Sequence, residues 1–116
     1  MTLQECYAAI GGDYDGVVSR LRSERLVKKF VLKFVDDKSY ELLCQSLQTK
    51  NAPEAFRAAH TIKGMCQNLG FSKLQDSSTR MAELLRSDWN DAAVDLLGEL
   101  TADYQQTVDA IRGVDA

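Results

Sequence analysis

A single proline, Pro53, among 116 residues limits what this chain can fold into more than any other feature of its sequence. Helices accept proline only in their first turn, and a fold of long helices needs few turn residues. No stretch alternates apolar and polar residues with the β-branched enrichment of a strand. The class expected is therefore all-α. A chain of this length suits one domain with one hydrophobic core. Its 45% hydrophobic and 27% charged residues are ordinary for a globular protein in water.

The apolar spacing places the helices. Gly11, Gly12 and Gly16 cluster early, so Thr2 to Arg22 reads as one or two short helices with a break. Ser23, followed by Glu24 and Arg25, starts the next helix. Leu26, Val27, Phe30, Val31, Phe34 and Val35 then recur at three- and four-residue steps, with Lys28, Lys29 and Lys33 outward. Asp36 to Ser39 either kinks that helix or ends it. Tyr40, Leu43, Cys44 and Leu47 carry a compatible stripe to about Thr49.

Lys50-Asn51-Ala52-Pro53-Glu54 is the clearest punctuation: Asn51 suits a helix cap, Pro53 its first turn, and Glu54 the positive end of its dipole. That helix runs through Ala55, Phe56, Ala59, Ile62, Cys66 and Leu69, with Gly70 as its C-terminal glycine. Ser72 opens another, with Leu74, Met81, Leu84 and Leu85 inward. Ser87 to Asp91 is the last turn, Trp89 a core or inter-helix contact. The final helix aligns Ala93, Leu96, Leu97, Leu100, Tyr104, Val108 and Ile111. The expected architecture is an antiparallel up-and-down four-helix bundle over residues 23–116, with residues 1–22 as a helical extension packed on it.

Several function classes find no support. The formal charge of −3 gives no electrostatic case for nucleic acid. No apolar run approaches the roughly 20 residues that span a bilayer, and the N-terminus does not resemble a signal peptide. Cys6, Cys44 and Cys66 form an odd, widely spaced set that yields neither a disulfide framework nor a zinc pattern. Reduced thiols in the cytoplasm, with Cys44 and Cys66 packed as small apolar groups, are the expectation. No metal site is expected, because His60 has no histidine, cysteine or carboxylate companions nearby.

His60, the one histidine, falls about 140° from the centre of the apolar stripe when residues are placed 100° apart around the helix from Pro53 to Leu69. Lys63 at i+3 and Gly64 at i+4 adjoin it on the surface, Gln67 continues the row, and Arg57 precedes it by a turn. A helix-interior glycine costs about 1 kcal/mol relative to alanine. At i+4 it opens space for a bulky group on the imidazole or for a partner's backbone. Lysine is a point charge on a flexible stem, suited to a phosphoryl oxygen. A neutral imidazole carries a nucleophilic nitrogen lone pair.

The run Ala58-Ala59-His60-Thr61-Ile62-Lys63-Gly64-Met65-Cys66-Gln67-Asn68-Leu69-Gly70 closely resembles the signature of histidine-containing phosphotransfer (HPt) domains. That signature is a histidine, two residues, lysine-glycine, then an apolar residue and glycine about two turns later. The flanking helices look similar too, so the resemblance covers roughly Glu24 to Arg112. Met65 and Cys66 depart from the small residues common after lysine-glycine, and Met65 lies off the His60 face.

The resemblance implies phosphorylation of His60 through Nε2, charge neutralisation by Lys63, and clearance at Gly64. Arg57 and Gln67 would line the surface met by a receiver domain. The implied role is a phosphocarrier of a two-component phosphorelay, serving receiver (response-regulator) domains and a hybrid histidine kinase. It would have no cofactor of its own, the Mg²⁺ belonging to the receiver. With no Gly-rich nucleotide loop, the chain is not expected to act as a kinase. Two variants stand beside it: a helical adaptor that binds partners without transfer, and the phosphotransfer domain of a chemotaxis-type kinase. Met1 and the N-terminal helix favour a self-contained protein.

Overall fold

The computed structural model describes residues 1–115, so the last residue of the 23–116 assignment lies outside the described residues. These form seven helices: α1 (Leu3–Ile10), α2 (Tyr14–Leu21), α3 (Glu24–Phe34), α4 (Ser39–Gln48), α5 (Ala52–Leu69), α6 (Ser72–Leu85) and α7 (Ala92–Arg112). No strand occurs among them, in agreement with the all-α expectation.

Local chemistry sets the boundaries. Thr2 and Glu5 cap α1 reciprocally: the Glu5 N–H donates to Thr2 Oγ1 (3.1 Å) and the Thr2 N–H to Glu5 Oε1 (2.8 Å). Asp13, Ser23 and Asn51 each accept from a backbone N–H three residues on, satisfying first-turn donors of α2, α3 and α5. The Asp36–Lys38 segment ends one helix rather than kinking it, with Asp37 Oδ1 accepting from the Ser39 N–H at 2.8 Å. Gly70 closes α5 at φ +73°, and a Cβ there would also lie 2.9 Å from the Asp13 carbonyl oxygen. Both constraints select glycine.

The helices α4, α5, α6 and α7 pack each against the next in chain order. Tyr40 of α4 stacks on Tyr104 of α7, with centroids 4.0 Å apart and 8° between the planes, and its hydroxyl lies 2.8 Å from Thr101 Oγ1. The first and last of these four are thereby brought together. α3 packs on α2, α5 and α7, and α1 on α7.

One apolar cluster runs through the whole, and the N-terminal helices contribute Leu3, Cys6, Tyr7, Ile10 and Val17 to it. The Tyr7 hydroxyl donates to the Leu69 carbonyl at 2.6 Å, tying α1 to the C-terminal end of α5. The α3 stripe is narrower than its periodicity suggests. Val27, Val31 and Phe34 are buried, whereas Leu26 and Phe30 remain 37% and 38% exposed. α3 meets α2, α5 and α7 through the centre of its stripe, with Val35 half-buried against the core and the other edge left open. The expected inward residue Leu84 is half-buried, as is Trp89, whose Nε1–H donates to Asp91 Oδ1 at 2.8 Å.

Candidate functional site

α5 buries Ala52, Ala55, Ala58, Ala59, Ile62, Cys66 and Leu69 between its neighbours. This includes every residue of the apolar run read from the sequence except Phe56, which is half-buried. His60 is consequently forced outward, and it is exposed in mid-helix. Gly64, one turn on, is exposed as well, and a Cβ added there would meet nothing within 4 Å. The fold itself therefore supplies no steric reason for glycine at that position.

Lys63 is half-buried rather than fully outward. Its charge helps hold the Glu83 carboxyl of α6 below the usual carboxylate range, behind the larger effects of the hydrogen bond and charge of Arg86. Arg57 is exposed and pairs with Glu54 at 3.0 Å. Gln67 is exposed two turns beyond His60, and its backbone carbonyl accepts from Arg20 at 3.3 Å. His60 and Arg57 share an open groove of about 450 Å³, whereas Lys63, Gly64 and Gln67 lie outside its lining.

The far wall of this groove comes from α6 and the turn after it, through Leu85, Arg86, Ser87 and Asp88. The sequence reading missed Arg86, since the spacing along α5 carries no information about which residues another helix brings alongside. It counted Phe56, at i−4 from His60, among the apolar residues of the helix without giving it a place at the site, although a large aromatic outside the alanine-rich stripe was a usable signal. The Phe56 and His60 ring centroids are 5.8 Å apart with 20° between planes. The Arg86 guanidinium carbon lies 5.7 Å from the Phe56 centroid, and Arg86 pairs with Glu83 at 2.6 Å.

The arrangement offers an imidazole accessible to a macromolecular partner, empty space above the next turn, and a cation at Lys63 to balance an anion, while Arg57 and Arg86 are each paired with a glutamate. Among the described residues, no three or more histidine, cysteine and acidic side chains gather to hold a metal ion. No helix among them is long and apolar enough to cross a membrane. Cys66 is buried as expected, whereas Cys44 is only half-buried and Cys6 is buried in its stead; burial pushes the Cys66 and Cys6 thiols up.

No curated protein and no solved structure matches the chain. The family model of the Hpt domain matches residues 37–112, a segment that holds α4 to α7 and therefore the whole helix bearing His60. Matched over well more than half its length in this way, the chain belongs to the Hpt domain family.

Proposed function

We propose that this chain is a phosphocarrier of a two-component phosphorelay, taking a phosphoryl group onto His60 from a receiver-domain aspartate and passing it to another receiver. The observation that carries the reading is the face of α5 itself. His60 is exposed in mid-helix, and Gly64 leaves open space one turn away at an energetic cost the fold does not require. Family membership supports phosphotransfer in two-component signalling as the general role.

In the proposed reaction the Nε2 lone pair of His60 attacks the phosphorus of an aspartyl phosphate in line. The N–P bond forms as the P–O bond to the aspartate breaks, and the free carboxylate leaves with that electron pair. The reverse sequence hands the group on. Lys63 balances negative charge on the phosphoryl oxygens, and Gly64 admits the group and the partner's backbone. Such a transfer depends chiefly on positioning and electrostatics. The Mg²⁺ of the reaction belongs to the receiver, and the chain needs no ATP site. Arg57 and Gln67 are assigned to the docking surface, flanking His60 on its own helix.

The helices of the matched segment are read as an up-and-down antiparallel bundle, which the two short connections flanking α5 support. Receiver domains and a hybrid histidine kinase are the proposed partners, and the cytoplasm the proposed compartment. The test is incubation with a phosphorylated receiver, followed by phosphohistidine detection and a receiver-binding measurement. Transfer to wild type that is lost in His60→Gln is expected. Binding that survives His60→Gln, with no transfer even by wild type, would instead identify an adaptor.

A further inference from the structure

An exposed imidazole has several accessible rotamers, and transfer in line is sensitive to which one it occupies. Among the described residues, no hydrogen bond fixes either ring nitrogen of His60. The aromatic group beside it is Phe56, one turn earlier on the same face, at 5.8 Å and 20°. Phe56 is in turn restrained from two directions. It is half-buried against the main apolar cluster. The Arg86 guanidinium carbon lies 5.7 Å from its centroid, and Glu83 holds that guanidinium at 2.6 Å. The nucleophile on α5 is thus connected through an aromatic ring to a salt-bridged arginine at the C-terminal cap of α6.

We propose that Phe56 is a positioning residue for His60, and that the Arg86–Glu83 pair at the C-terminal end of α6 holds Phe56 in place. The inference rests on the reading of His60 as the phosphoryl acceptor. A near-parallel ring alongside the imidazole narrows its side-chain rotation, so more encounters with a receiver begin from a productive orientation. Arginine suits the outer position, because its planar guanidinium binds an aromatic face while also donating to a carboxylate. Neither Phe56 nor Arg86 reacts. Their contribution is geometric, and it belongs to the transfer step rather than to receiver affinity.

The test uses the full chain and a phosphorylated receiver in single-turnover transfer at varied receiver concentration, with NMR of the His60 ring protons. Phe56→Leu keeps an apolar side chain of similar bulk but removes the aromatic face. It is expected to lower the limiting transfer rate about tenfold, a modest loss beside the roughly hundredfold effect of gross misplacement, with half-saturation unchanged. The ring-current shift of the His60 protons should collapse in this variant. Phe56→Tyr is expected to restore both rate and shift. Arg86→Gln should give a smaller loss in rate, which Arg86→Lys recovers, because an ammonium can also sit over the ring.

A labelled wild type with a Phe56→Leu variant of unchanged limiting rate would overturn the positioning role and leave the His60 reading intact. A change confined to half-saturation overturns it too, making Phe56 a docking contact. Absence of label on wild type defeats the His60 reading and the inference with it.

Discussion

Gly64→Ala separates the demands of the fold from those of the proposed chemistry. The position lies inside α5, is exposed, and has nothing within 4 Å of an added Cβ. No contact is lost and none is made too close, so backbone entropy and helix propensity decide the stability change. Alanine should stabilise the chain by about 0.5–1 kcal/mol. For a chain of this size the upper value corresponds to a rise of about 4 °C in Tm. The same methyl group projects into the space assigned to the phosphoryl group and the receiver backbone. Displacing either by about 1 Å should slow transfer roughly 10- to 100-fold.

Gly98 provides the matched control. It lies in mid-α7, also has nothing within 4 Å of an added Cβ, and does not line the His60 groove. Gly98→Ala should give a similar gain in Tm with transfer unchanged. Thermal denaturation and single-turnover transfer measured on both variants decide the matter. Wild-type transfer by Gly64→Ala would refute the clearance argument, and a lowered Tm would refute the helix reasoning beneath it.

Lys63→Ala should slow transfer or shorten the phosphohistidine lifetime while leaving the helical circular dichroism intact; if rate and lifetime are both unchanged, Lys63 has no part in the chemistry. Tyr7→Phe strands the buried Leu69 carbonyl that now accepts at 2.6 Å. It should cost about 1–3 kcal/mol in urea denaturation, and a loss below about 0.5 kcal/mol would show that the bond contributes little. Burial raises the Cys66 thiol above its ordinary value of 9.0, so the folded state retains a proton that the unfolded state releases in alkali. Stability should therefore be unaffected by this group below about pH 9 and fall above it, by at most about 1.4 kcal/mol per pH unit. Cys66→Ala should reduce that alkaline slope, and an identical slope in urea titrations at pH 7.5 and 10 would contradict the assignment.

The legible parts of the fold are those governed by local chemistry. Asn51, Pro53 and Gly70 marked the ends of α5 because capping and backbone conformation are decided within a few residues. The outward position of His60 followed from the same helix, since a stripe of alanine, isoleucine, cysteine and leucine leaves one side for solvent. Quantities set by the packing of one helix on another were less accessible. Periodicity gave α3 a stripe that included Leu26 and Phe30, but the number of neighbours a helix acquires is not a property of its own spacing. Arg86 reaches the His60 groove only because α6 packs against α5, and its partner Glu83 lies three residues earlier, in the last turn of that helix. The sequence order of α1 likewise gave no sign that Tyr7 would bond to the end of α5.

The central claim is that His60 carries the phosphoryl group. It is tested most directly by mixing the intact chain with a phosphorylated receiver, quenching within one turnover, and locating the added phosphate by peptide mass spectrometry under alkaline conditions that preserve phosphohistidine. One acid-labile phosphoryl group is expected on the peptide containing His60 in wild type and none in His60→Gln. An unlabelled wild type, or label that persists in His60→Gln, would contradict it.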